Sequence, residues 1–147
     1  AVEAVRARTA QLESELAMRV ETAPPPLPPF TWSLELDPAA AELNESRANR
    51  KRQQIASAAR HVLGLAGEGS HLVECGAGQG HLGLLVAHLR PDLTVTLVEV
   101  KQYSCDAARE RIRRIGMNNV RVFQGTVEEF DSSQVAFDVV VGLHLCG

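Results

Sequence analysis

The sequence predicts an α/β fold: a doubly wound, mostly parallel sheet flanked by helices. Two observations carry this expectation. Between residues 71 and 143, short apolar runs with strand character alternate with stretches of helical periodicity, and a strand–helix–strand order implies parallel strands joined by crossovers. The first strand also runs straight into "GAGQG", a glycine turn that opens an apolar helix. A length of 147 residues with 45% hydrophobic and 22% charged residues suits one ordinary globular core.

Taken in order, residues 1–22 have helical spacing, with Val5, Leu12, Leu16 and Val20 roughly on one face. Residues 23–30, "APPPLPPF", interrupt it, because each proline fixes φ and removes a donor, and read as a polyproline linker. The expected organisation is therefore a helical arm and linker over 1–30 and an α/β domain over 31–147. The arm packs locally or docks a protein partner. In "LDPAAAEL", Asp37 suits an N-cap and Pro38 a first helical position. A long helix follows over 45–65 with Ile55, Ala59, Val62 and Leu63 on its apolar face, and Gly64, Gly67 and Gly69 end it. Strands are expected at 71–75, 94–100, 120–124 and 137–143, and helices at 81–88 and 104–115. A short turn or helix is expected at 127–130.

The net charge of −3 gives no general electrostatic case for nucleic acid, although Arg47, Arg50, Lys51 and Arg52 fall within six residues. Three cysteines without paired spacing argue against a disulfide framework and for a reducing, cytoplasmic setting. No apolar run is long enough to span a bilayer and no secretory signal is visible, so no membrane role is expected. The chain starts at Ala1 and stops at Gly147 directly after a strand, and is read as a fragment of a longer, C-terminally truncated domain.

Gly76, Gly78 and Gly80 make positive φ cheap and let a ligand approach the backbone, while the next helix offers unpaired N–H groups. Glu99 ends the second strand 19 residues after Gly80, where a carboxylate accepts hydrogen bonds from vicinal ribose hydroxyls. The alternative is a solvated strand-end glutamate. "GQGHLG" at 78–83 is literally G-x-G-x-x-G, so the glycines alone do not separate a dinucleotide from S-adenosylmethionine. Glu74, two residues before Gly76, favours the second, since a carboxylate suits an ammonium group and sits poorly beside a pyrophosphate.

The fourth strand ends in "GLHLCG", at the switch point where ligands of open α/β sheets bind. His144 suits a general base and Cys146 a nucleophile; a metal site formed with Cys75 has weak spacing, and none is expected. The bland alternative makes His144 a pocket wall and Cys146 a packing residue. His81 reads as a helix-start residue, and Tyr103 and Trp32 as packing aromatics.

With these residues in view, "VECGAGQGHLGLLVAHLRPDLTVTLVEVKQYSCDAARERIRRIGMNNVRVFQGTVEEF" followed by "FDVVVGLHLCG" resembles the class I S-adenosylmethionine-dependent methyltransferases, a Rossmann-like fold. More narrowly it is similar to the methyltransferase-like domain of glutathione S-transferase C-terminal domain-containing proteins and, more distantly, to tRNA 2′-O-methyltransferases. The resemblance covers residues 47–147. It implies that Gly76, Ala77, Gly78 and Gly80 line the methionine and ribose, with Glu74 near the amino end. It implies that Glu99 binds the ribose hydroxyls and Val100 packs on the adenine. Gly125, Thr126 and Val127 would form the adenine-edge loop, with Thr126 where many relatives carry aspartate and Glu128 as a substitute contact. His144 to Gly147 would face the acceptor, for which the relatives and the basic cluster suggest RNA, tRNA in particular. Two other readings stand beside this one. A non-catalytic cofactor-binding scaffold fits the missing aspartate and the proline-rich arm, and an NAD-dependent oxidoreductase fits only the literal glycine fingerprint.

Overall fold

The computed structural model of the chain describes residue 10, residues 23–130 and residues 135–143. The expected helix over 1–22, apart from Ala10, therefore lies outside the described residues, as do His144 and Cys146.

Four parallel strands form one sheet in the order β3-β2-β1-β4: β1 His71–Cys75, β2 Thr94–Glu99, β3 Val120–Gln124 and β4 Val139–Val141. β1 is central, pairing Glu74 with Leu97 of β2 on one side and with Val141 of β4 on the other. The chain crosses from β1 to β2 through α2 (His81–Leu89) and from β2 to β3 through α3 (Gln102–Ile115). Both crossovers step the same way across the sheet, so right-handed connection puts both helices on one face. The jump from β3 back to β4 beside β1 reverses the direction and opens a crevice at the carboxyl ends of β1 and β4.

Helix α1 (Glu45–Leu65) precedes the sheet, capped by Asn44, whose side chain accepts from the Arg47 N–H at 3.0 Å. It buries Ala48, Ile55, Ala59 and Val62. α2 is apolar around nearly its whole circumference, as a helix must be when it is covered on all sides. Leu82, Leu84, Leu85, Val86 and Ala87 are all buried, and they join Leu72, Val95, Leu97 and residues of α1 in the main core. The opposite sheet face carries a smaller cluster of Val73, Cys75 and Val98, with Phe123 and Phe130 packed edge to face. No helix among the described residues is long and apolar enough to cross a membrane.

Three stretches differ from expectation. The last strand, expected over 137–143, is limited to Val139–Val141. The proline segment docks on α1 where a free linker is expected: Arg60 donates to the carbonyls of Pro24 and Pro25, and Leu27, Phe30 and Trp32 pack against the core. Residues 34–41 form turns, with no helix starting at Pro38. The Asp37 carboxylate does accept from the Ala39 N–H at 2.9 Å, but both of its oxygens are also taken by Arg52 of α1, at 3.0 and 2.6 Å. That fork, with Leu36 and Ala39 buried, holds residues 33–39 as a strap against the core.

Candidate active site

The crevice, lined from the carboxyl ends of β1 and β2 and by Leu143 after β4, is a cleft of about 380 Å³. One wall is the glycine turn, another is the α1 face that presents Lys51, Gln54 and Ile55, and the strap adds Pro38. Glu74, Glu99, Lys101 and Leu143 complete its polar and distal ends.

The turn is built as its glycines require. Gly76, Gly78 and Gly80 have φ of 64°, 55° and 80°, a region that L side chains rarely adopt. Ala77 anchors it by donating its N–H to the Val98 carbonyl at 3.1 Å, and Gly80 donates to the Ala77 carbonyl at 2.9 Å. The third glycine of the literal fingerprint, Gly83, does a different job. A Cβ there would collide with Leu97 and stand 2.8 Å from Glu74 Oε2 and 3.1 Å from Val95, so its absence lets α2 lie close on the sheet.

Glu74 is almost wholly buried beneath α2, and its Oε2 accepts the Gly83 N–H at 2.9 Å. It thus caps the first turn of α2 from below. Burial pushes its carboxyl up to about 8, with the Gly83 N–H pulling the other way. Glu99, also buried, bridges two backbone donors: Oε2 accepts from Gly78 at 2.7 Å and Oε1 from Lys101 at 2.9 Å. His81, the first residue of α2, lines the cleft with a buried Nδ1 that has no partner among the described residues. Burial, helped by the Arg111 charge, lowers its imidazole to about 4, so at neutral pH it carries no charge.

Of the residues expected to hold a cofactor, Glu74, Gly76, Ala77, Gly78 and Glu99 line the cleft together; Gly80 closes the turn behind them. Val100, Thr126 and Val127 are exposed and lie outside its lining. Thr126 is instead in a reciprocal cap: its N–H donates to Glu129 Oε2 at 2.8 Å and its hydroxyl accepts from the Glu129 N–H at 3.2 Å. "TVEE" is itself a capping-box signature, so this use of Thr126 was readable in the sequence. Sequence reasoning missed Gln54, Pro38, Gln79, Lys101 and Leu143 as lining. For Gln54 the signal was spacing, since Lys51, Gln54 and Ile55 share one helix face. In the basic cluster, Arg52 pairs with Asp37 and Lys51 with Glu42, while Arg47 and Arg50 are exposed and pair with no carboxylate among the described residues. No group of three potential metal ligands occurs among the described residues.

Comparison with known proteins fits this geometry. A family model described as a methyltransferase domain matches residues 49–147. The chain belongs to this methyltransferase-domain family. It is 32% identical over 140 residues to the human glutathione S-transferase C-terminal domain-containing protein, covering 90% of this chain and 21% of that protein. The chain therefore spans about a fifth of the length of the curated relatives it matches. It is 37% identical over 62 residues to ribosomal RNA small subunit methyltransferase G of Thermobifida fusca (strain YX), covering 42% of this chain and 26% of that protein. Among solved structures, the YcgJ protein of Bacillus subtilis shares the fold with a TM-score of 0.51 at 20% identity, over 62% of this chain and 37% of that one. The methyltransferase domain thus has the expected Rossmann-like, doubly wound parallel architecture.

Proposed function

We propose that the cleft binds S-adenosylmethionine and that this domain is the cofactor-binding part of a methyltransferase. One observation carries the reading. Two backbone donors that a dinucleotide's pyrophosphate would seek, Gly83 N–H at the start of α2 and Gly78 N–H in the turn, are already held by the carboxyl groups of Glu74 and Glu99. The cleft therefore presents acids to a ligand where a phosphate site presents free donors. That arrangement suits an ammonium group and a pair of sugar hydroxyls, and it disfavours NAD.

The fit is specific by residue. Glu74 receives the amino end of the methionine, Gly76, Ala77, Gly78 and Gly80 let its tail and ribose lie against backbone, and each Glu99 oxygen keeps a lone pair for a ribose hydroxyl. Val100, Thr126 and Val127 stand further along the sheet edge, where the adenine of a ligand longer than the cleft would extend. When bound, S-adenosylmethionine supplies a methyl group already activated on a sulfonium. The protein's part is then orientation of the acceptor and exclusion of water. The acceptor meets His144 and Cys146, which follow Leu143 of the cleft wall in sequence, with His144 as general base and Cys146 as nucleophile. RNA is the proposed acceptor, supported by the exposed Arg47 and Arg50 at the start of α1, which pair with no carboxylate among the described residues, and by the ribosomal RNA methyltransferase among the relatives. The buried free thiols of Cys75 and Cys105 suit a reducing, cytoplasmic setting, and the N-terminal arm is the proposed seat of a protein partner. The capped Thr126 favours a second reading, a cofactor-binding scaffold without turnover.

Calorimetric titration with S-adenosylmethionine, S-adenosylhomocysteine and NAD tests the first claim, and transfer of labelled methyl to RNA and protein pools tests the second. Binding of NAD alone overturns the proposal. Binding of S-adenosylhomocysteine with no labelled pool supports the scaffold, and label in protein but not RNA removes the RNA acceptor.

A further inference from the structure

Helix α3 carries four arginines, and among the described residues three of them pair within the helix itself. Arg109 pairs with Asp106, and Arg113 and Arg114 pair with Glu110, all within one turn. Arg111 instead leaves the helix. Its Nη1 donates to Gln79 Oε1 at 2.8 Å and to the Gln79 carbonyl at 3.3 Å, crossing to the tip of the glycine turn. It is partly buried, unlike its three exposed neighbours, and Glu35 of the strap supplies the opposing charge.

We propose that Arg111 is a positioning residue that holds the glycine turn in its ligand-binding shape. This rests on the reading that the turn receives S-adenosylmethionine. Residues 76–80 hold three glycines with positive φ, and ordering such a segment loses more backbone entropy than ordering a glycine-free segment of its length. The base of the turn is fixed by the Ala77 and Gly80 backbone bonds. The tip, Gly78–Gln79, is held from the sheet side by Glu99 and from the helix side by Arg111. Glu99 must share its oxygens with the ribose, whereas Arg111 lies outside the cleft lining and is free to keep its hold throughout. Without it the turn visits more shapes in the free protein, and apparent affinity falls in proportion to the competent fraction.

The test uses the full-length protein and the variants Arg111→Ala, Gln79→Ala, their combination, and Arg113→Ala as a surface control. Hydrogen exchange in the free protein reads the turn directly. Amides of residues 78–80 should exchange about 3–10-fold faster in Arg111→Ala and at the wild-type rate in Arg113→Ala. S-adenosylhomocysteine affinity should drop by about 3–10-fold in Arg111→Ala, and the double variant should bind no more weakly than the weaker single. A merely structural arginine would lower the melting temperature without that coupling to Gln79. Unchanged exchange at 78–80 overturns the proposal, and so does a loss in affinity that is equally large in the Gln79→Ala background. If the wild-type protein does not bind S-adenosylhomocysteine, the cofactor reading falls, and the exchange result alone decides whether Arg111 holds the turn.

Discussion

Binding of S-adenosylhomocysteine should expel a proton, and Glu74 is its source. Burial under α2 holds this carboxyl at about 8, so at pH 7 roughly nine-tenths of the free protein carries the proton. An ammonium group placed within hydrogen-bonding reach favours the charged form and lowers such a carboxyl by about 1–3 units. The protonated fraction then falls, with the release of about 0.4–0.9 of a proton per ligand bound at pH 7. The assay is calorimetry in two buffers of different ionisation enthalpy, for example phosphate and Tris. The difference in apparent binding enthalpy, divided by the difference in ionisation enthalpy, counts the protons. Glu74→Gln keeps an oxygen for the Gly83 N–H but has no proton to lose, so its count should fall close to zero. A dinucleotide would bring an anion to the same carboxyl and release nothing. Two results refute the reasoning: a wild-type count of zero with S-adenosylhomocysteine bound, or an equal count in Glu74→Gln.

Four further outcomes follow from the same geometry. Glu99→Gln must lose at least one of its two backbone bonds, because the amide NH₂ faces an N–H; affinity for S-adenosylhomocysteine should fall by about 1.5–3 kcal/mol in calorimetry, with a stability loss seen in urea. Gly83→Ala should destabilise by about 1–3 kcal/mol in urea despite alanine's better helix propensity, since the new methyl meets Leu97 and Val95. Arg52→Lys cannot reproduce the fork on Asp37 and should loosen the strap, measured as faster hydrogen exchange at residues 36, 37 and 39 and a lower urea midpoint. Stability itself should depend on pH through Glu74: the folded protein binds this proton more tightly than the unfolded chain, so stability falls as pH rises from about 4.5 to about 8, by at most about 1.4 kcal/mol per unit. Glu74→Gln should flatten that slope in urea melts across the range.

What the sequence disclosed was whatever local chemistry writes down. β1, β3 and α1 have the bounds read from periodicity because Asn44, Ser70 and Gly125 mark their ends. The glycine turn and the acid after β2 were legible because each depends on spacing along a single strand–turn–helix–strand unit. The strap was not: "LDPAAAEL" has a sound local helix start, and the competing partner of Asp37 lies 15 residues away on α1. The docked prolines depend on Arg60, 35 residues downstream of Pro25. The Arg111–Gln79 contact spans 32 residues, and nothing in "RERIRRI" distinguishes that arginine from its neighbours. The near-complete burial of Glu74 arises because Gly83 lets α2 settle directly on top of it.

That burial bears on why residue 74 is a glutamate at all. As a helix cap alone, a glutamine would serve: it offers the Gly83 N–H the same oxygen and avoids the cost of a carboxyl whose ionised form is held in a dry place. The acid is at a disadvantage in the empty cleft and gains only when a cation arrives to stabilise its charge. A residue chosen for the fold and a residue chosen for a ligand therefore differ in one outcome, the affinity of the Glu74→Gln variant. If residue 74 serves only the fold, Glu74→Gln should keep or gain stability and leave S-adenosylhomocysteine affinity alone. If it serves an ammonium group, Glu74→Gln should gain stability above neutral pH and lose affinity, and that exchange of one for the other is what a charged ligand site at the foot of a helix requires.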